Sequence, residues 1–125
     1  MMRHLQRLLL IVVAMLTLAS CNHGDKTPEG VAITFLEALS RGDYDAAYSC
    51  TTGPESDRET VAGYYKQMQL VVTDYRVNSV DMDPDGQHAV VNVTTTMTSI
   101  FNAQAATSDE HYNAVLVDGR WRLDL

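Results

Sequence analysis

From Gln87 to Asn102 the chain reads QHAVVNVTTTMTSIFN, with a residue of one kind at every second position. Ala89, Val91, Val93, Thr95, Met97 and Phe101 therefore share one face. A side-chain period of two belongs to an extended strand, so this run requires a long strand buried on one side. Such a strand needs antiparallel neighbours and a layer to cover the buried face. Upstream, LVVTDYRVNSVDMD (residues 70–83) is rich in β-branched residues and joins the run through the turn signal Asp83-Pro84-Asp85-Gly86. Downstream, Asn102 to Ser108 reads as a loop and SDEHYNAVLV (108–117) as a third strand. Asp118-Gly119 is a tight hairpin turn, and RWRLDL (120–125) is a fourth strand, with Trp121, Leu123 and Leu125 alternating against Arg120, Arg122 and Asp124.

The covering layer lies before Gln69, where the spacing is helical. In TPEGVAITFLEALSRGD (27–43), Val31, Ile33, Phe35, Leu36 and Leu39 recur mostly at helical intervals. Thr27 is placed to cap, Pro28 suits the first helical position, and Gly42 suits the stop. DYDAAYSC (43–50) follows as a short helix with Tyr44, Ala47 and Tyr48 on one face, broken by Gly53-Pro54. A third helix, PESDRETVAGYYKQMQ (54–69), begins with acids at its positive end and turns Val61, Tyr64, Tyr65 and Met68 inward. Three helices and then a four-stranded antiparallel meander predict an α+β domain, with the N-terminal helices packed on a curved sheet.

The first residues are left out of this domain. MMRHLQR carries Arg3 and Arg7 and no acid, and an apolar run of 11 residues follows from Leu8 to Leu18. A membrane-spanning helix takes roughly 20 residues; a basic start, a short apolar stretch and then small residues describe a secretory signal peptide. The leader holds two of the nine basic residues and none of the sixteen acids, so the rest carries a formal −9. That balance argues against nucleic acid as a partner, and against adhesion to anionic lipid by overall charge alone. Of the two cysteines, Cys21 sits at the border of the leader, and Cys50 in a helical pattern reads as a small buried hydrophobe.

Leu18-Ala19-Ser20-Cys21 resembles the lipobox of bacterial lipoproteins at all four positions. The resemblance implies cleavage between Ser20 and Cys21 and a diacylglyceryl group on the Cys21 thiol, with acylation of the new amine. This divides the chain into signal peptide (1–20), lipidated cysteine and polar tether (21–26) and domain (27–125). Asn22 rather than Asp after the cysteine favours the outer membrane. The opening TPEGVAITFLEALSRGDYDAAY and the closing VLVDGRWRLDL are similar to the NTF2-like, cystatin-like α+β cone, and more narrowly to small envelope lipoproteins of the DUF4878 type. That likeness carries fold rather than chemistry. Larger relatives close the cone with further strands or a longer tail.

Catalytic patterns are absent from the sequence: no HExxH, CxxC or GxSxG occurs, and His23, His88 and His111 stand far apart. No metal, cofactor or catalytic residue is expected. The expectation is a lipid-anchored envelope protein that binds a small molecule or a protein partner. Two other readings stand beside it. A ketosteroid-isomerase-like or polyketide-cyclase-like enzyme would draw on Asp74, His88 or His111. A structural homodimer would pair through its sheet. Alternation puts His88 opposite Val91 and Val93, towards solvent, and leaves the face of His111 open. Tyr44, Tyr48, Tyr64, Tyr65, Tyr75, Tyr112 and Trp121 either line a pocket at the mouth of the cone or belong to the core with hydroxyls at its rim.

Overall fold

A computed structural model describes residues 24–125. The signal peptide, Ser20, Cys21 and the first tether residues lie outside that range. Helix α1 (Pro28–Arg41) is followed by α2 (Tyr44–Ser49), a 3-10 turn (Glu55–Asp57) and α3 (Arg58–Met68). Then come β1 (Val71–Met82), β2 (His88–Ser99), β3 (Asn102–Val117) and β4 (Arg120–Leu123), in the order β1-β2-β3-β4 and antiparallel throughout. This is the α+β arrangement expected from the sequence.

The helix ends follow from local chemistry. The Thr27 hydroxyl accepts from Gly30 N–H at 2.9 Å, and Pro28 opens α1. Gly42 closes α1 in the left-handed region (φ 70°), where a glycine carries no Cβ penalty. The Asp43 carboxylate then caps α2 by accepting from Ala46 N–H. Asp118 and Gly119 both have positive φ, as a two-residue turn between twisted strands requires.

The inner face of the sheet is the one expected on β2: Ala89, Val91, Val93 and Thr95 are all buried. Val72 joins them from β1, Tyr112 and Ala114 from β3, and Trp121 and Leu123 from β4. Val31, Phe35, Leu36 and Leu39 of α1 fill the hollow above them. Phe35 meets Tyr112 edge to face, with ring centroids 5.8 Å apart. The sheet bends at register shifts between Val72 and Asp74, Val77 and Ser79, and Met97 and Ser99. Its outer face is polar and cross-linked: Thr94 donates to Asp109 at 2.8 Å, Thr96 and Thr107 share a bond at 2.9 Å, and His111 meets Asn92.

Four details differ from the sequence reading. Residues 102–108 are not a loop but the first half of β3, paired with the end of β2 down to Ser99 opposite Asn102. The turn is thus only Ile100-Phe101, and Phe101 is 78% exposed rather than on the buried face. Tyr64 is 58% exposed, because α3 packs on α2 and turns Ala62 and Tyr65 towards it instead. Leu125 lies past the end of β4 and is exposed.

Thr95 is fully buried on β2, and its hydroxyl has no hydrogen-bond partner among the described residues. Leaving a buried hydroxyl unpaired costs about 1–3 kcal/mol. Thr95→Val keeps the branched shape and removes the polar atom. The variant is expected to gain about 1 kcal/mol, seen as a higher urea midpoint at unchanged m value. A lower midpoint would mean that the hydroxyl is engaged after all.

Candidate functional site

Six of the seven aromatics weighed for a pocket separate into three places. Tyr112 lies in the core, and its phenol is raised by burial, then by the Glu110 charge. Tyr44, Tyr64 and Tyr65 form a chain on the helical side, with successive ring centroids 6.3 Å apart. The Tyr44 hydroxyl is committed to Leu70 O at 2.9 Å. Only Tyr48 and Trp121 share a cavity. Tyr75, the seventh aromatic, donates to Glu37 Oε1 at 3.1 Å. The hollow of the cone is thus filled by core side chains, and the cavity lies elsewhere.

That cavity is an open groove of about 840 Å³ beside β4. A long-range contact creates it. Residues 50–52 run alongside β4, with Leu123 N–H donating to Cys50 O at 2.7 Å and Thr52 N–H to Leu123 O at 2.9 Å. On the other side, Trp121 N–H donates to Asp25 O at 2.8 Å, and the Thr34 hydroxyl reaches Gly24 O at 3.3 Å. The segment before α1, expected as free tether, is therefore docked from Gly24 onward.

The groove is polar at its rim and aromatic within. Tyr48 is buried, and its hydroxyl donates to Pro54 O at 2.6 Å. Its phenol is raised by burial and by the neighbouring Asp57, against Arg58. The Arg58 guanidinium stands 5.4 Å from the Tyr48 ring centroid. It binds Glu55 in a fork at 2.7 and 2.9 Å, and Nη1 reaches both Asp45 O and Ser49 Oγ at 2.8 Å. This fork holds the Glu55 carboxyl below its ordinary value. Arg122 Nη1 donates to Ser49 O at 2.5 Å. Cys50 is a free, buried thiol, pushed up to about 11 by burial. That fits its expected part as a small hydrophobe.

The residues weighed for an enzyme stay outside the groove. His111 is exposed on the outer face of the sheet, bonded to Asn92. Asp74 is exposed on β1 and bonds its neighbour, Tyr75 N–H, at 3.0 Å. His88 is exposed at the β1–β2 turn, 2.7 Å from Asp85. Asp83, Asp85 and His88 come together there, with ligand atoms within 4.8 Å of one another and all three exposed. Turn geometry accounts for Asp85: its carboxylate accepts from Gln87 and His88 N–H, which with the imidazole holds it below its usual range. Sequence reading missed Arg58, Arg120, Arg122, Cys50 and residues 24–25 as groove residues.

No family model matches the chain, and no curated protein matches it in sequence. Solved structures do. A SEC-C motif containing protein from Rhodopseudomonas palustris superposes with a TM-score of 0.59 at 14% identity, over 80% of this chain and 77% of the other. A Campylobacter jejuni protein described as an NTF2-like transpeptidase superposes with a TM-score of 0.52 at 16% identity, over 79% of this chain and 98% of the other. With helices on a curved four-stranded antiparallel sheet, the domain has the NTF2-like α+β fold.

Proposed function

We propose that this chain is a bacterial envelope lipoprotein whose NTF2-like domain binds a small molecule or a protein partner at the β4 groove, without catalysis. The anchor reading rests on Leu18-Ala19-Ser20-Cys21 and on the short apolar run before it. Two or more acyl chains on one residue hold a protein stably at a bilayer, whereas one does so only marginally. Asn22 points the reading to the outer membrane. The finer likeness to DUF4878-type lipoproteins rests on the opening and closing stretches of the domain.

The observation that carries binding over catalysis is the state of the groove's ionisable groups. Glu55 is committed to Arg58 in a two-point fork, and burial pushes the Cys50 thiol up to about 11. At neutral pH neither is free to act as base or nucleophile. Tyr48 and Trp121 supply apolar area, and arginines supply direction.

The anchor is tested in cells fed radioactive palmitate. The full chain is expected to take up label and Cys21→Ala to take up none. Equal labelling of the two would refute the lipobox. A pull-down of the labelled protein from membranes then asks for the partner directly.

A further inference from the structure

The groove lies close to the point of attachment. Gly24 and Asp25 form part of its rim, held by Thr34 and Trp121. Cys21 stands three residues earlier, so at most about 11 Å of extended chain separates the thiol from the rim. A domain tied that closely brings this rim to the bilayer surface whenever Cys21 is lipidated.

Charge singles out the same place. The chain beyond the leader is formally −9, yet three arginines line the groove against Asp25 and Glu55. Arg58 is used up on Glu55, Asp45 and Ser49. Arg120 and Arg122 are not. Two apart on β4, they lie on one face of the strand, roughly 7 Å from each other. Arg122 uses Nη1 on Ser49 O, which steadies the side chain and leaves Nε and Nη2 without a partner among the described residues. Arg120 is 62% exposed and forms a loose ion pair with Asp25 at 3.7 Å, longer than a hydrogen bond, so its N–H groups still face solvent. A guanidinium fork matches the oxygens of a phosphate group. The exposed Val117 stands beside the pair, and Trp121, buried between them on the inner face, fixes the strand that carries both arginines.

We infer that the groove faces the membrane that carries the anchor, and that Arg120 and Arg122 receive the phosphate of an anionic lipid headgroup. The inference rests on the anchor reading above and deepens it. It makes the attachment two-point, through acyl chains on Cys21 and a headgroup in the groove, and so sets which end of the domain lies against the bilayer.

Among the described residues every side chain of the hydrophobic cluster lies between Val31 and Leu123, so residues 22–125 carry that whole cluster and are used without the anchor. This unit is expected to sediment with vesicles of phosphatidylethanolamine and phosphatidylglycerol, and not with phosphatidylcholine alone. Binding should weaken with salt. The pair Arg120→Gln and Arg122→Gln should lose roughly thirtyfold in affinity at unchanged melting temperature, and Arg120→Lys with Arg122→Lys an intermediate amount, since it keeps the charge and loses the fork. Unchanged affinity of the glutamine pair, or a loss matched by a fall in melting temperature, would overturn the assignment. So would equal binding to both kinds of vesicle, or none. If glycerol phosphate raises the melting temperature but vesicles do not bind, a soluble phosphate ester is the ligand and the membrane source is wrong. Failure of the anchor itself shows separately, in the palmitate experiment.

Discussion

Leu36→Ala is expected to lower the stability of the domain by about 3 kcal/mol. Leu36 is fully buried in α1, in one cluster with Val72, Val91, Val93 and Leu123 from the sheet. That position makes it part of the layer that covers the inner face among the described residues. Removing its branched end costs the transfer of the lost methyl groups and leaves a cavity that a curved sheet cannot close over. For a domain of about 100 residues this is roughly 15 °C in melting temperature, or a large fraction of total stability. Leu36→Met conserves volume and should cost less than about 1.5 kcal/mol. Thermal unfolding of residues 22–125, followed by circular dichroism, separates the two. A loss below about 1 kcal/mol for the alanine variant would mean that α1 does not seal the sheet as described.

The same layer shows which parts of the molecule could be read from local pattern. α1 was legible because three signals agree: Thr27 before it, Gly42 after it and an apolar face between. The inner face of β2 was legible because alternation is strict over Ala89, Val91, Val93 and Thr95. The first half of β3 was not. NAQAATS contains residues that are poor in strands, and it becomes one because β2 offers Thr95 to Ser99 as partners. Side-chain bonds to the other strand support the ladder, Thr96 with Thr107 inside the segment and Thr94 with Asp109 just beyond it. Tyr64 failed for a related reason. Helical spacing allows either Tyr64 or Tyr65 to turn inward, and the choice depends on where α2 lies.

The groove was half legible. Tyr48 and Trp121, expected at the mouth of the cone, line instead a groove beside β4. Arg120 and Arg122 alternate visibly with Trp121, but alternation alone assigns them to solvent. What makes them groove residues is the pairing of Thr51 with Leu123, a bridge between positions 72 apart in sequence. No local signal marks such a contact. Arg58 likewise enters only because the 3-10 turn brings Glu55 back beside it.

Gly53→Ala is expected to destabilise the domain by about 1–3 kcal/mol and to deform the groove, although Gly53 is exposed and has no positive φ. The cause is space. A Cβ at Gly53 would lie 2.7 Å from Tyr48 Cζ and 2.9 Å from Tyr48 Cε2, with the hydroxyl closer still. Real Cβ atoms do not approach so near, and the Tyr48 ring cannot swing away cheaply. It is buried, its hydroxyl is fixed to Pro54 O, and Arg58 stacks on its face. Displacing it loses the hydrogen bond and opens the floor of the groove. Gly53 is thus the residue that lets the chain pass over Tyr48 on its way to α3. A double-mutant cycle isolates the clash. With Tyr48→Leu in place, the ring and hydroxyl are gone, and adding Gly53→Ala should change stability by less than about 0.5 kcal/mol. If the glycine substitution costs as much in the leucine background as alone, its effect comes from the backbone and not from Tyr48. Arg58 should then keep its position in the single variant, which charge-sensitive binding at the groove would report.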